Sequence, residues 1–482
     1  MQHFPRLFFI VCVPVCLWAC SSRSDQLQPD SQADIIVAEV GAADLARDFA
    51  PRPALSLSIA CVDDADAVYA AQTTHADPLG AIVACVSDGE VSKVDLTAAL
   101  AEVPDVEVRS GYRAYRVAYR TEREAGVFGT GTATLLVPDT PNAAARPVVV
   151  ATHGTAGLAD HCAPSSFPST DDGQDALILP WVASGYVVIA PDYAGLGNPG
   201  VQGYGHAPDT AHSVLDAGRA AIAALAPGSV DADLVVAGHS QGGGAALSAQ
   251  AFGASYGAPD VTLSAIISYA GNVTENRSLL GWQYPKLVPL LGGGGVTRAV
   301  VVLAFYSDFA NLFGEARAGE VFHPDLRAFV VDAVKTKCIY GLTAALAKPS
   351  AGYVVPLTVA NLVDPDLQLE MAECIRDTHC SARAEAYVAR IKASDVVPDA
   401  QGAPVLMLGG IADAQSPPEK QACTRDYLQA HGVEPLVCQY PDRTHFDIVP
   451  HSAAFAVRWV ETRLAGQTPP ACVHATTLPA CP

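Results

Sequence analysis

Five short segments of the chain consist almost entirely of small or β-branched apolar residues. They cover residues 146–154, 185–192, 231–238, 263–271 and 403–410. Strands that are apolar on both sides are typical of a parallel sheet buried beneath helices. Between the second and third segments, residues 209–225 place apolar side chains along one helical face. The alternation predicts an α/β fold with a mostly parallel central sheet and helices on both faces.

Two other regions depart from this alternation. Residues 110–138 alternate polar and apolar residues around Gly126, which predicts an antiparallel hairpin. Residues 272–400 have helical character but contain no further buried-strand segment, so we expect an inserted, mainly helical cap or lid. The glycine run Gly292–Gly295 within it is a candidate hinge, or else a plain loop.

The N-terminal residues have the composition of an export signal. Arg6 precedes an apolar stretch from Leu7 to Trp18, which is too short to span a bilayer as a permanent helix. The sequence "LWAC" also resembles a bacterial lipoprotein cleavage box, which would make Cys20 the lipidated first residue of the mature protein. Trp18 stands where a small residue is usual, so ordinary cleavage remains the alternative. We expect an exported protein, either secreted or anchored to the cell envelope through Cys20.

These features together predict a division of the chain. In order, it comprises an export signal (1–19), a tether (20–45), an α/β core (46–271 and 401–466, with 46–105 as an N-terminal extension of unassigned structure), a cap (272–400) and a disulfide-containing tail (467–482). The formal net charge of −21 repels phosphate backbones, which argues against a nucleic-acid partner.

Ten cysteines follow Cys20, and an even number in an exported chain predicts disulfides. They are residues 61, 85, 162, 338, 374, 380, 423, 438, 472 and 481. Short loops favour three pairs, namely Cys61 with Cys85, Cys423 with Cys438, and Cys472 with Cys481. A zinc site at Cys374, His379 and Cys380 is a weaker alternative, because no second pair of ligands follows at the usual spacing.

The stretch "LVVAGHSQGGGAAL", residues 234–247, fits the pattern G-x-S-x-G with Ser240 at its centre. A buried strand precedes the serine and a helix of small residues follows it. This is the setting of a nucleophile elbow, a strained turn on which flanking glycines allow close backbone approach. We therefore predict Ser240 to be a catalytic nucleophile.

A serine nucleophile needs a base and an acid that orients the base. His445 follows a candidate strand and precedes the last helix, which favours it as the base, with His451 second. Asp413 follows the preceding strand at its carboxyl end and is the predicted acid. Asp442 and Asp447 are too close to His445 in sequence to reach the far imidazole nitrogen.

Negative charge on a tetrahedral intermediate requires backbone donors. The amide of Gln241, directly after the nucleophile, is the first candidate. The second is expected in the loop "THGTAG" after the first parallel strand, at Thr155 or alternatively Ala156.

With these residues in place the chain resembles the secretory lipase family of α/β-hydrolases. The resemblance rests on "THGTAG", "CAPS", "GYVVIAPDYAGLG", "GHSQGGGAAL", "GGIADAQSPP" and "THFD", and covers about residues 110–275 and 400–465. It implies a Ser/Asp/His triad, a helical cap and acyl esters as substrates. The order Ser240, Asp413, His445 agrees with it, whereas a lipid anchor would depart from the released form usual in the family.

The expected function is therefore that of an exported serine carboxylic-ester hydrolase, a lipase or esterase working through an acyl-enzyme. Such chemistry requires no metal and no organic cofactor. A serine peptidase or an acyltransferase on the same fold remains an alternative, as does a non-catalytic surface lipoprotein.

Overall fold

The computed structural model describes most of the chain beyond residue 54. The described residues are 55–124, 126–140, 146–167, 175–257, 259–273, 295–347, 362–376, 379–474 and 477–481. The predicted export signal, Cys20, the tether and the candidate hinge glycines 292–294 lie outside them.

A nine-stranded sheet organises the described residues. Its strands are β1 (Ile82–Val91), β2 (Tyr112–Glu124), β3 (Val127–Pro138), β4 (Val148–Thr152), β5 (Val188–Pro191), β6 (Asp233–His239), β7 (Thr262–Tyr269), β8 (Val405–Gly410) and β9 (Leu436–Tyr440). The spatial order is β1-β2-β3-β5-β4-β6-β7-β8-β9. Strands β4 to β9 pair in parallel, whereas β1, β2 and β3 form antiparallel pairs. The five apolar segments and the hairpin around Gly126 are thus confirmed as strands.

Helices lie before, between and after these strands. They are α1 (Ala65–Ala70), α2 (Lys93–Ala99), α3 (Asp175–Ala183), α4 (Ala207–Ala224), α5 (Gln241–Phe252), α6 (Gly295–Phe313), α7 (Pro324–Thr336), α8 (Ile339–Ala347), α9 (Pro365–Ile375), α10 (Ala382–Ala393), α11 (Pro418–Ala430) and α12 (Ile448–Leu464). Several begin where a side chain caps the first turn. Asp364 accepts a hydrogen bond from the Leu367 amide at the start of α9, and Ser381 accepts one from Ala384 at the start of α10.

Successive side chains of the central strands point to opposite faces of the sheet, and both faces are buried beneath helices. In β4, Val148 and Val150 belong to an apolar cluster with residues of α4 and α5. The intervening Val149 and Ala151 belong to a second cluster with residues of α3 and α12. The predicted layering, helices on both faces of a mostly parallel sheet, is confirmed.

The N-terminal residues 55–105, whose structure was not predicted from the sequence pattern, contribute to the sheet. They form α1, β1 and α2, and β1 pairs with β2 at the edge. Only part of β1 is buried, with Ala84 and Cys85 inside and Ser87 to Glu90 exposed. This weak alternation explains why the strand carried no clear sequence signal.

Helices α6 to α10 lie between β7 and β8 and pack around a hydrophobic cluster of their own, the helical-segment core. Helix α6 crosses this core with Val302, Phe305 and Phe309 buried. Its part from Val296 to Phe313 is long and apolar enough to span a membrane, with a mean hydropathy of 1.3, but 61% of it is buried in the protein. Its apolar character is therefore accounted for by packing.

Arg390 forms a buried ion pair within the helical segment and also contacts the end of a strand of the sheet. Arg390 of α10 donates from Nε to Asp308 of α6 at 2.7 Å, and its Nη1 contacts Glu124 at the end of β2. Burial raises the pKa of Asp308, although Arg390 opposes this shift. Both side chains of the Arg390–Asp308 pair are almost inaccessible to solvent, so their charges depend on each other for compensation.

Five disulfides are present among the described cysteines. Cys61 pairs with Cys85 as predicted. The predicted pairs Cys423–Cys438 and Cys472–Cys481 are wrong, since Cys423 pairs with Cys481 and Cys438 with Cys472. Loop length was a poor guide because closing a longer loop costs only a little more free energy, and the packing of the tail against α11 and β9 decides the partners.

The remaining two disulfides involve the helical segment. Cys162, after β4, pairs with Cys338 before α8. Cys374 pairs with Cys380, which removes both thiolates from the zinc alternative.

Replacing Arg390 with methionine should destabilise the protein strongly. The substitution leaves the Asp308 carboxylate buried without a cation, a change that typically costs about 3–5 kcal/mol. Urea unfolding followed by circular dichroism would measure the loss. The matched control is Arg317→Met, which breaks an exposed pair with Glu320 and should change little. Equal effects of the two substitutions would contradict the inference.

Candidate active site

Ser240 occupies the sharp turn between β6 and α5. Its backbone has φ 55° and ψ −115°, a left-handed conformation that is unfavourable for a residue with a Cβ. Two hydrogen bonds hold the turn: the Ser240 amide donates to the Tyr269 carbonyl at 2.8 Å, and the Ser240 carbonyl accepts from the Gly244 amide at 3.1 Å. The turn therefore has the geometry expected of a nucleophile elbow.

The glycines beside Ser240 allow the elbow to press against β4. A Cβ added to Gly242 would lie 1.8 Å from the Thr152 carbonyl oxygen, and one added to Gly238 would lie 2.1 Å from the Gly242 carbonyl oxygen. Thr152 also donates a hydrogen bond from Oγ1 to the Gly242 carbonyl at 2.9 Å. No side chain fits in this crossing, so both positions require glycine.

His445 and Asp413 meet Ser240 at the carboxyl ends of the parallel strands. The two residues follow β9 and β8 respectively, and both are buried. His445 Nε2 lies 2.9 Å from Ser240 Oγ, and His445 Nδ1 lies 2.8 Å from Asp413 Oδ2. The structure thus brings together the three side chains predicted to act as nucleophile, base and acid.

Hydrogen bonds keep the Asp413 carboxylate ionised. Burial alone would raise its pKa, but the hydrogen bond with His445 and the amides of Ser416 and Gln415 outweigh that effect, so the pKa lies below the usual value. Both amides donate to Oδ1, at 2.7 and 2.8 Å. An ionised carboxylate only accepts hydrogen bonds, so we assign the neutral His445 proton to Nδ1, which leaves Nε2 free to accept the serine proton.

The alternatives considered from sequence have other partners. His451 donates from Nδ1 to the Asp447 carbonyl at 2.8 Å at the start of α12. Asp447 accepts hydrogen bonds from the amide and hydroxyl of Thr444. Neither residue contacts Ser240 in the part of the chain that the structure describes.

The loop after β4 lies directly beside the nucleophile. A Cβ added to Gly154 would lie 3.6 Å from Ser240 Cβ. Thr155 follows, and its hydroxyl is 2.7 Å from the hydroxyl of Tyr204. Within the described residues, the backbone amides of Thr155 and Gln241 donate to no protein acceptor. Both amides are therefore available to a bound group.

The helical segment holds this loop in place. The Ile339 amide, at the start of α8, donates to the Ala156 carbonyl at 2.8 Å. The disulfide between Cys162 and Cys338 lies against the same loop, because a Cβ on Gly157 would come within 3.2 Å of Cys162 Sγ. The loop is thus tied to the inserted helices by a covalent bond and a hydrogen bond.

The only group of candidate metal ligands among the described residues is His161, Cys162 and Cys338. Two of its three donors are the sulfurs of a disulfide, which are not thiolates and bind metal poorly.

Three contributors to the site were not predicted from the sequence: His239, Tyr204 and the Cys162–Cys338 disulfide. Tyr204 belongs to the loop before α4, and its amide donates to Ser307 Oγ on α6. These contacts join residues far apart in the chain, so local pattern carried no signal for them. His239 lay inside the recognised motif but no role was assigned to it.

Comparison with known proteins addresses the fold and part of the sequence. The model of the Secretory lipase family matches residues 168–280, which include Ser240 but neither Asp413 nor His445. The chain has the α/β-hydrolase fold, and its residues 168–280 are similar to the secretory lipases. The resemblance noted in the sequence is thereby confirmed, and it supports carboxylic-ester hydrolase activity. No curated protein matches the chain significantly.

Solved structures with this fold include an esterase and a lipase. A single-residue variant of the rice cell wall degrading esterase LipA from Xanthomonas oryzae is 17% identical, with a TM-score of 0.61, and the match covers 81% of this chain and all of that one. Candida antarctica lipase A in its closed state is 16% identical, with a TM-score of 0.60, over 87% of this chain and 91% of that one. At these identities the likeness establishes the fold alone.

Replacing Gly242 with alanine should impair the α/β-hydrolase core and its site together. The added methyl group meets backbone atoms of Thr152 and His153, so β4 and the loop after it must shift, at a cost of about 1–3 kcal/mol or more. We expect a lower melting temperature and a lower rate of ester hydrolysis per folded molecule.

The matched control for Gly242→Ala is Gly341→Ala in α8. There the nearest atom to an added Cβ is Lys337 Cβ at 3.4 Å, an ordinary van der Waals distance, and alanine favours a helix over glycine by about 1 kcal/mol. An unchanged melting temperature in Gly242→Ala would contradict the close approach of the elbow and β4.

Proposed function

We propose that the protein is an exported serine carboxylic-ester hydrolase, a lipase or esterase that acts through an acyl-enzyme. The observation that carries the proposal is the continuous hydrogen-bonded path from Ser240 Oγ through the His445 ring to Asp413. The match of the segment around Ser240 to the secretory lipases supports it.

In the first half of the reaction Ser240 Oγ attacks the ester carbonyl carbon. His445 Nε2 accepts the hydroxyl proton as the new C–O bond forms, so a neutral alcohol becomes an effective nucleophile. The imidazolium then gives this proton to the departing alkoxide, which leaves as an alcohol. The acyl group remains on Ser240 as an ester.

Charge on the tetrahedral oxygen is stabilised by the two available amides. The amides of Gln241 and Thr155 are the proposed donors, and each such donor typically contributes about 10²–10³ in rate. The Ala156 amide is the alternative second donor, in the same loop as Thr155. Asp413 stabilises the imidazolium while remaining ionised.

In the second half a water molecule replaces the alcohol. His445 removes a proton from the water as it attacks the acyl carbon, and then returns the proton to Ser240 Oγ. The products are a carboxylic acid and the free enzyme. Every step uses only protein groups, the ester and water, so we propose that neither a metal nor an organic cofactor takes part.

The inserted helices are proposed to form the cap, corresponding to residues 272–400. They adjoin the site through Tyr204 and Leu158, which belong to the helical-segment core although they lie in loops of the α/β core. We propose that this segment helps to form the acyl-binding surface and so sets the acyl-chain preference for lipid or short-chain esters.

Labelling should identify the nucleophile. A fluorophosphonate is expected to label the wild-type protein once, and Ser240→Ala should abolish labelling and lower ester hydrolysis by about 10³–10⁶. Ser248→Ala is the matched control, since Ser248 lies on the same α5 helix and donates to the Gly244 carbonyl. Labelling of Ser240→Ala at the wild-type rate would mean that Ser240 is not the nucleophile, and no labelling of any form would favour a non-catalytic lipoprotein.

Two sets of chromogenic compounds can distinguish an ester hydrolase from a peptidase with the same triad. We expect turnover of p-nitrophenyl esters of graded acyl length and no cleavage of peptide anilides. Anilide cleavage without ester turnover would favour a serine peptidase. Acyl transfer to an added alcohol that exceeds hydrolysis would favour an acyltransferase.

The proposal of export rests on the N-terminal sequence and on the five disulfides, which form in oxidising compartments. The proposal of anchoring rests on the N-terminal sequence alone. We propose that the signal is removed and that Cys20 becomes the lipidated first residue. Mass spectrometry of the mature N-terminus should show a diacylglyceryl group on Cys20. An unmodified Cys20 at the start of a released protein would contradict anchoring but not export.

A further inference from the structure

His239, the residue directly before the nucleophile, contacts the backbone of His445. Its Nε2 donates a hydrogen bond to the backbone carbonyl of His445 at 2.7 Å. The His239 backbone lies at the end of β6, in register with Tyr269 of β7. The hydrogen bond therefore joins the central strand that carries Ser240 to the loop that carries His445.

The imidazole of His239 is held on several sides. Its ring centroid is 4.7 Å from that of His445 and 5.8 Å from that of Phe446. Across the ring, Nδ1 lies 3.5 Å from the position of a Cβ on Gly154. The ring thus stands between the base loop and the loop that supplies the proposed Thr155 donor.

His239 remains neutral under ordinary conditions. Burial, together with the nearby His445 ring, lowers the pKa of His239 to about 3. A neutral imidazole carries one N–H, and the hydrogen bond to the His445 carbonyl assigns it to Nε2. Neutrality is compatible with catalysis, because His445 becomes positively charged during the reaction and a second cation beside it would oppose that step.

We propose that His239 is a positioning residue that fixes the distance between His445 Nε2 and Ser240 Oγ by tethering the His445 backbone to the nucleophile elbow. The proposal rests on the proposed function for its effect on rate. Asp413 orients the imidazole through its side chain, whereas His239 holds the main chain from which that imidazole projects. A shift of about 1 Å in such a group lowers rates by up to about 10².

The decisive comparison uses His239→Phe and His239→Gln. Phenylalanine keeps an aromatic ring but leaves the His445 carbonyl without its donor, and glutamine offers an N–H of similar reach. In His239→Phe we expect kcat to fall by about 10- to 100-fold with KM changed by less than about twofold. The rate of fluorophosphonate labelling should fall in parallel, and His239→Gln should recover most of the loss.

A matched control is available in α4. His212 is also buried, donates from Nδ1 to the Glu122 carbonyl at 3.1 Å and stacks on Tyr256. None of its described contacts involves the Ser240 site. His212→Phe and His212→Gln should therefore leave kcat unchanged, even where they lower the melting temperature. An equal fall of kcat in His212→Phe would overturn the positioning role of His239.

Two further measurements do not depend on catalysis. Hydrogen exchange of a peptide spanning residues 441–450 should be faster in His239→Phe than in wild type, and unchanged in His212→Phe. Imidazole ¹⁵N spectra of the wild type should place the His239 proton on Nε2 between pH 5 and 8.

A proton on Nδ1, unchanged exchange, or wild-type kcat in His239→Phe would each overturn the proposal. Absence of ester hydrolysis and labelling in wild type would instead refute the proposed function, and the exchange and ¹⁵N data would still decide the contact.

Discussion

The close approach of the elbow to β4 is the constraint on which the rest of the site depends. Backbone atoms of Gly238, Gly242 and Thr152 come together at distances that leave no room for a side chain. Because this crossing is tight, Ser240 projects above the sheet in a strained conformation. Its hydroxyl is then fixed by the main chain, which costs less entropy than ordering a long side chain.

Parallel strand order brings the partners of Ser240 to the same edge. Strands β6, β7, β8 and β9 are neighbours, so loops after β8 and β9 emerge beside the elbow. Asp413 and His445 stand in these two loops and converge on Ser240 from one side, while the loop after β4 approaches from the other. The topology of the sheet places the loops after β4, β6, β8 and β9 at the same edge, and this is sufficient to bring the residues of the site together.

This topology also explains which parts of the structure could be predicted from the sequence. Continuous apolar strands and the glycine-rich turn are local signals, and they predicted the parallel sheet and the convergence of Ser240, Asp413 and His445. Edge strand β1 was missed because its outer half is exposed and polar. Two disulfides were assigned wrongly because nothing local indicates that Cys472 and Cys481 lie against Cys438 and Cys423.

The contacts that support the site were beyond local patterns for the same reason. The loop after β4, which carries the proposed donor Thr155, is linked to the inserted helices through Ala156 and the Cys162–Cys338 disulfide. The loop after β9, which carries His445, is instead linked to the α/β core through His239. The two loops that flank Ser240 are therefore held by different parts of the protein. The helical segment contacts the loop of the proposed donor Thr155 directly at Ala156, whereas the proposed tether between His445 and Ser240 is His239, a residue of the sheet. If the inserted helices form the proposed acyl-binding surface, substitutions in them can alter that surface without displacing His445 from Ser240.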